Sequence, residues 1–126
     1  MGSKGIRVCS LGLFVIVLFF STACDETATP LSGTPPPAAE ATVTLQSSSF
    51  SPASVAIVRG GRVTWTNATP IAHTITPSNP VQPGVWTAQN VPTQTGFTFS
   101  HTFNTAGTYN YVCTIHAGMT GTVSVE

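Results

Sequence analysis

From residue 42 onward apolar and polar positions alternate, with breaks at Gly, Pro or Asn about every ten residues, the pattern of short half-buried strands rather than helices. Thr42–Gln46 puts Val43 and Leu45 on one face, and Val55 with Ile57 begins a second strand. Val58-Arg59-Gly60-Gly61-Arg62-Val63 contains a Gly-Gly pair suited to positive φ, which predicts a two-residue hairpin turn. A third strand then covers Val63–Asn67, with Val63 and Trp65 sharing a face. Further strands are predicted over Ala72–Thr76, over a pair formed by Phe97–Phe103 and Thr108–Cys113 joined through Asn104–Gly107, and over Gly121–Val125. About seven or eight strands result, an all-β sandwich or barrel. Parity places Tyr109, Tyr111 and Cys113 on the inward face of their strand, so Cys113 points inward at a strand end. The same rule groups His101 with Phe97, Phe99 and Phe103, as a semi-buried, hydrogen-bonded structural residue. Trp65 and Trp86 are expected to serve packing, and Arg59 and Arg62, flanking the turn, to be solubilising charges.

The chain ahead of this pattern is of another kind. Lys4 and Arg7 precede an apolar run, Leu11–Phe20, and Ser21-Thr22-Ala23-Cys24 follows, which is the layout of an export signal over residues 1–23. The run is shorter than the roughly 20 residues a spanning helix needs, so cleavage is favoured over retention. The tetrad resembles a bacterial lipobox, with Ser21 where such motifs usually carry Leu, and this makes Cys24 the expected site of lipidation and membrane anchoring. Residues 24–41 show no apolar periodicity and include Pro35-Pro36-Pro37, so they read as a flexible, disordered tether to a domain over residues 42–126.

Composition then narrows the chemistry. Charged residues are 6% of the 126, four basic and four acidic, with zero net charge. A nucleic-acid binder needs clustered cations to displace counterions, and Lys4, Arg7, Arg59 and Arg62 form no cluster. Beyond residue 41 the only charged side chains are Arg59, Arg62 and Glu126, which leaves no carboxylate pair for acid and base work and no lysine for a Schiff base. Hydrolase and lyase readings lose their parts. What remains is His73, His101, His116, Cys113 and Met119, all soft or borderline metal ligands. Of the three cysteines, Cys9 leaves with the signal, and lipid on Cys24 makes Cys113 the lone thiol of the domain. In an oxidising compartment such a thiol is buried, paired between chains or bound to a metal.

Cys113-Thr114-Ile115-His116-Ala117-Gly118-Met119 sets a thiolate, an imidazole and a thioether at successive three-residue steps on a strand-to-loop junction. His73, remote in sequence, stands at the start of another strand and can supply a fourth ligand. Two imidazoles and a thiolate with a weak axial thioether make a blue-copper electron-transfer set. Zinc also accepts His and Cys, but the methionine and the all-β pattern weigh against it. Taken alone, Cys113 could be simply a small buried hydrophobe.

Over about residues 42–126 the chain resembles the cupredoxins, the family of plastocyanin, pseudoazurin and amicyanin. The resemblance lies in Phe50-Ser51-Pro52, in Val63–Asn67 leading to His73-Thr74, in Gly107-Thr108-Tyr109, and in Cys113, His116 and Met119 closing on Gly121-Thr122-Val123. The Cys-His-Met spacing is most similar to that of amicyanin. The resemblance implies a Greek-key sandwich and a copper ion held by His73, Cys113 and His116, with Met119 as a long axial ligand. Both imidazoles would bind through Nδ1, with His73 buried and hydrogen-bonded and the Nε2 edge of His116 at the surface as the electron port. Thr74 stands where the family often has Asn, and with Thr114 it would pin the two ligand segments together. Ile115 replaces a frequent Pro, and Val112 the aromatic of plant plastocyanins, whose acidic patches are missing too. Redox protein partners are therefore expected at an apolar patch of Ile71, Ile115, Ala117 and Met119 around His116, with weak salt dependence. The reading is an exported, lipid-tethered, monomeric carrier that cycles Cu(II) and Cu(I) on the periplasmic or extracellular face of a membrane. The alternative is a copper-sequestering or copper-delivery lipoprotein.

Overall fold

Strand alternation, with inward Val43 and Leu45 both fully buried, sets the first element, β1 (Ala38–Leu45), in a computed structural model that describes residues 36–126. The strand starts at Ala38 rather than at residue 42, because nothing after Pro37 breaks an extended chain and β3 offers backbone partners, with Ala38 opposite Ile57 and Ala41 opposite Val63. The export segment of residues 1–23, Cys24 and the tether as far as residue 35 lie outside the described residues. The chain continues through β2 (Phe50–Ser51), β3 (Ser54–Asn67), β4 (His73–Pro77), β5 (Gln89–Val91), β6 (Thr98–Phe103), β7 (Gly107–Val112) and β8 (Thr120–Val125), with no helix among the described residues.

The Gly60-Gly61 pair does not reverse the chain. Gly60 takes a φ of 83°, as a glycine turn would, yet both expected strands are halves of the single strand β3. Against β1 the register moves from Ala38 opposite Ile57 to Glu40 opposite Arg62, so β3 advances five residues while β1 advances two, and the excess bulges out. At Gly61 a Cβ would lie 2.8 Å from the carbonyl oxygen of Val58 and 2.9 Å from that of Ala39, so the bulge closes only over a bare glycine. The chain goes straight on because each half of β3 has its own neighbour. Ser54–Ile57 runs parallel to Thr122–Val125 of β8, and Gly61–Thr66 runs antiparallel to Thr98–Phe103 of β6.

All eight strands are hydrogen-bonded into one sheet that turns over at β3, whose halves carry it into two layers, the two sheets of a Greek-key β-sandwich: β2, β1 and β6 on one side, and β8, β7, β4 and β5 on the other. Phe97–Phe103 and Thr108–Cys113, expected as a pair joined through Asn104–Gly107, do not pair with each other. β6 pairs with β3, β7 pairs with β4 and β8, and the link between them crosses from sheet to sheet. Each strand buries its inner face in the same core, where Phe103 and Tyr109 meet edge to face at 4.9 Å between centroids.

Trp65, 1% exposed, occupies the centre of that core, with ring centroids 5.2 Å from Trp86, 5.5 Å from Phe99 and 5.6 Å from Tyr111. Trp86 lies in the β4–β5 connection and locks it inward by donating its indole N–H to the Ile75 carbonyl at 3.0 Å. Tyr111 lies across from Gly121 on β8, and burial pushes its phenol up to about 12, so it stays neutral. A methyl at Gly121 would overlap the Tyr111 ring itself. Gly121→Ala is therefore expected to destabilise the domain by about 1–3 kcal/mol, the usual cost of overpacking. The measurement is a lower urea midpoint at unchanged m-value, and an unchanged midpoint would contradict this packing.

The pairing also gives the sandwich two distinct ends. Ala38 is opposite Ile57, Ile57 opposite Val125, and Val125 opposite Gly107, so the start of β1 shares one end with the end of β8 and the start of β7. Leu45, Asn67 and the far end of β7 lie at the other.

Candidate metal centre

β4 and β7 pair antiparallel, with Thr76 opposite Val112 and Pro77 opposite Tyr111, so the start of β4 and the end of β7 come to the same end of the sheet. His73 is the first residue of β4 and Cys113 the first after β7. Side-chain parity turns both inward, leaving His73 1% and Cys113 4% exposed. His116 follows on the loop after Cys113, half-buried, with Nδ1 3.3 Å from Cys113 Sγ and its ring centroid 4.8 Å from that of His73. One ligand atom from each of His73, Cys113 and His116 lies within 4.8 Å of the others.

The loop is a tight one. Cys113 N–H donates to the Met119 carbonyl at 2.9 Å and Met119 N–H to the His116 carbonyl at 3.3 Å, with Gly118 at a φ of 76° completing the turn. This closure carries Met119 inward, where it is 1% exposed. Met119 therefore does not contribute to the surface patch expected around His116, whereas Ile71, 36% exposed, Ile115, 55% exposed, and Ala117 do reach solvent.

Thr74 joins the two ligand-bearing segments in three ways. Its N–H donates to Cys113 Sγ at 3.3 Å, its Oγ1 accepts from Thr114 N–H at 2.7 Å, and the two threonine hydroxyls lie 3.0 Å apart. A thiolate needs such a donor in a dry site, because burial otherwise favours the neutral thiol.

The donor set fits a borderline-soft ion such as copper. His73 Nδ1 is buried without a hydrogen-bond partner, a vacancy that ordinarily costs about 1–3 kcal/mol and that a metal bond would fill. Burial, and then the adjacent His116 ring, hold the pKa of His73 below the usual histidine value, which keeps the imidazole in its neutral, ligating form. Cys113 is the free cysteine of the described residues. His101 sits apart from this cluster, half-buried, with Nε2 2.9 Å from the Gly84 carbonyl and its ring packed edge to face on Phe103.

Sequence reasoning misses two residues here. Asn67, 1% exposed, accepts from Thr69 N–H at 3.1 Å and from the Thr69 hydroxyl at 3.2 Å, and the Thr69 hydroxyl also lies 3.4 Å from His73 Nε2. The available signal is Asn67-Ala68-Thr69 directly after a strand, a sequence suited to an Asx turn.

Comparison with known proteins agrees with this geometry. A family model described as copper binding proteins of the plastocyanin/azurin family matches residues 38–126. Plastocyanin of Scenedesmus fuscus is 38% identical over 87 residues, 61% of this chain and 86% of the relative. Amicyanin-alpha of Methylorubrum extorquens is 36% identical over 91 residues, 71% of this chain and 75% of the relative. Among solved structures, an oxidised amicyanin variant superposes with a TM-score of 0.59 at 28% identity, covering 71% of this chain and 84% of that one. A purple cupredoxin from Nitrosopumilus maritimus superposes with a TM-score of 0.56 at 26% identity, covering 68% of this chain and 99% of that one. Since the family match begins at the first residue of β1 and ends at the last residue of the chain, the whole sandwich, and not just its ligand loop, belongs to the plastocyanin/azurin family of copper-binding proteins.

Proposed function

We propose that the protein is a single-electron carrier whose copper ion is held by His73 Nδ1, Cys113 Sγ and His116 Nδ1, with Met119 as the weak axial ligand. The observation that carries this reading is the unpartnered, buried Nδ1 of His73 beside a thiol already 3.3 Å from the Nδ1 of His116. Bound copper supplies a one-electron Cu(II)/Cu(I) couple. The protein's own part is to keep the donors in place. Thr74 holds the sulfur through its N–H and ties β4 to the ligand loop through Thr114, while the paired β4 and β7 stiffen both ligand segments. His116 is half-buried, which suits it to pass electrons to a docked partner.

The partner in this reading is a redox protein that docks on the apolar surface of Ile71, Ile115 and Ala117 around His116. Among the described residues the charged side chains are Glu40, Arg59, Arg62 and Glu126. Glu40 faces Arg62 across β1 and β3, and Arg59 N–H donates to the Glu126 carbonyl at 2.7 Å, both toward the end where β1 begins. Among the described residues the ligand end carries no charged side chain to steer an encounter. The described chain also enters the domain at the end opposite the ligands. An exported protein lipidated at Cys24 and acting as a monomeric head beyond the cytoplasm is consistent with that arrangement.

Cu(II) added to the metal-free protein should give one equivalent of an intense visible thiolate-to-copper absorption, and a colourless Cu(II) complex would refute the ligand set. Electron exchange of the loaded protein with a small redox protein should change less than about twofold between low and physiological salt, as expected without charge steering. A steep salt dependence would remove the apolar docking face. Rapid surrender of copper to an acceptor protein would favour delivery over carriage.

A further inference from the structure

We propose that Asn67 and Thr69 form a positioning relay that fixes the tautomer and the ring orientation of His73; this rests on the reading of His73 as a copper ligand. The relay follows from counting donors and acceptors. Asn67 Nδ2 sits 2.9 Å from the Ile71 carbonyl and 3.0 Å from the Pro92 carbonyl. Both are acceptors only, so the amide must present its two hydrogens to them, and its Oδ1 is thereby turned toward Thr69. Oδ1 can only accept. The Thr69 hydroxyl, 3.2 Å away, therefore spends its hydrogen on Asn67, and Thr69 N–H adds a second bond at 3.1 Å. That leaves the hydroxyl a lone pair for His73 Nε2 at 3.4 Å, so Nε2 must carry the proton.

A neutral imidazole protonated at Nε2 has a bare lone pair at Nδ1, the atom found buried and unpartnered. Two backbone carbonyls, one before β4 and one just after β5, thus dictate through two side chains which nitrogen of His73 is free to bind a metal. Asn67 uses both of its donors and makes two accepted bonds within the protein, and at 1% exposure it has no solvent alternative. The two histidines are consequently unlike. His73 is held by a chain of bonds anchored in two connections of the fold, β3–β4 and β5–β6, whereas His116 is half-buried on the loop itself.

The test is the pair Thr69→Val and Thr69→Ser in the full chain. Valine keeps the shape and removes the hydroxyl, and serine restores it. Long-range proton–nitrogen correlation on the metal-free protein at about pH 8, where imidazoles are neutral, reads the His73 tautomer directly. The unsubstituted chain and Thr69→Ser should show His73 protonated at Nε2 alone, and Thr69→Val a mixture of the two forms. Competition with a Cu(I) chelator should show Thr69→Val binding about 10–100-fold more weakly, with serine restoring most of the loss. A proton on Nδ1 in the unsubstituted chain would overturn the relay, and so would a Thr69→Val protein with unchanged tautomer and unchanged affinity. Failure of the unsubstituted chain to bind copper would sink the carrier reading instead, and the metal-free tautomer would still decide the relay.

Discussion

Cys113→Ser is expected to abolish the intense visible absorption of the copper-loaded protein while leaving the sandwich folded. The absorption requires a sulfur donor bonded to the ion, and Cys113 Sγ is the thiol among the described residues. A serine hydroxyl is not ionised at neutral pH and is a hard donor, so it offers Cu(I) nothing comparable. Copper affinity should fall by more than the roughly 100-fold that removal of a group hydrogen-bonded to a ligand costs. The fold should hardly notice. The hydroxyl still accepts from Thr74 N–H, which lies 3.3 Å from the sulfur it replaces, and the exchange should cost no more than about 1 kcal/mol. Visible spectroscopy and a urea titration of the same sample separate the two effects. Colour that survives the substitution would sink the assignment of Cys113, and a chain that no longer folds would show that the thiol is structural.

The second large effect is on stability. Trp65→Ala should cost about 3–5 kcal/mol, the range found when a buried large aromatic is deleted and the cavity cannot collapse. Collapse cannot be complete here on geometric grounds, since the indole is enclosed by Trp86, Phe99 and Tyr111, all with centroids within 5.6 Å, drawn from both sheets and the β4–β5 connection. Domains of this size are stable by about 5–15 kcal/mol, so the substitution removes a large share of the total. Val81, 86% exposed, is the natural control, and Val81→Ala should stay within about 0.5 kcal/mol. A small midpoint shift for Trp65→Ala would mean that the aromatic cluster is not the centre of the core. The copper site should feel the loss as well, because Tyr111 is two residues before Cys113, which follows directly on the same strand's inner face.

These two outcomes draw on parts of the molecule that were legible to different degrees. Alternation made the inner faces readable residue by residue. Val43, Leu45, Val63, Trp65, Tyr109, Tyr111 and Cys113 are all buried, because a strand's period of two is a local property that needs no knowledge of its neighbours. Val55 is only partly buried beside the fully buried Ile57, since it lies near the end of β3 where only β8 covers it. Local conformation was readable too. Gly60 has the positive φ that its sequence suggests, but whether such a residue turns the chain or bulges it depends on what pairs with either side. The short strands β2 and β5 leave no signal in the sequence for a related reason. Two or three residues have no period, and they exist as strands only because β1 and β4 supply the backbone partners.

At the centre the same division holds. Cys113, His116 and Met119 are neighbours along the chain, so their proximity follows from a short turn and could be read from spacing. The chain's alternation, its missing charges, its lone domain thiol and its resemblance to the copper-binding family were all determined by sequence alone. Tertiary structure decided which strands pair, that β3 serves both sheets, that His73 meets Cys113 through the antiparallel pairing of β4 with β7, and that Met119 turns away from solvent. It alone decided that Asn67 and Thr69 lead to His73 Nε2. The physical reason is range: periodicity and turn preference act over a few residues, whereas hydrogen-bond partners and metal donors are matched across space, between segments that only a folded chain brings together.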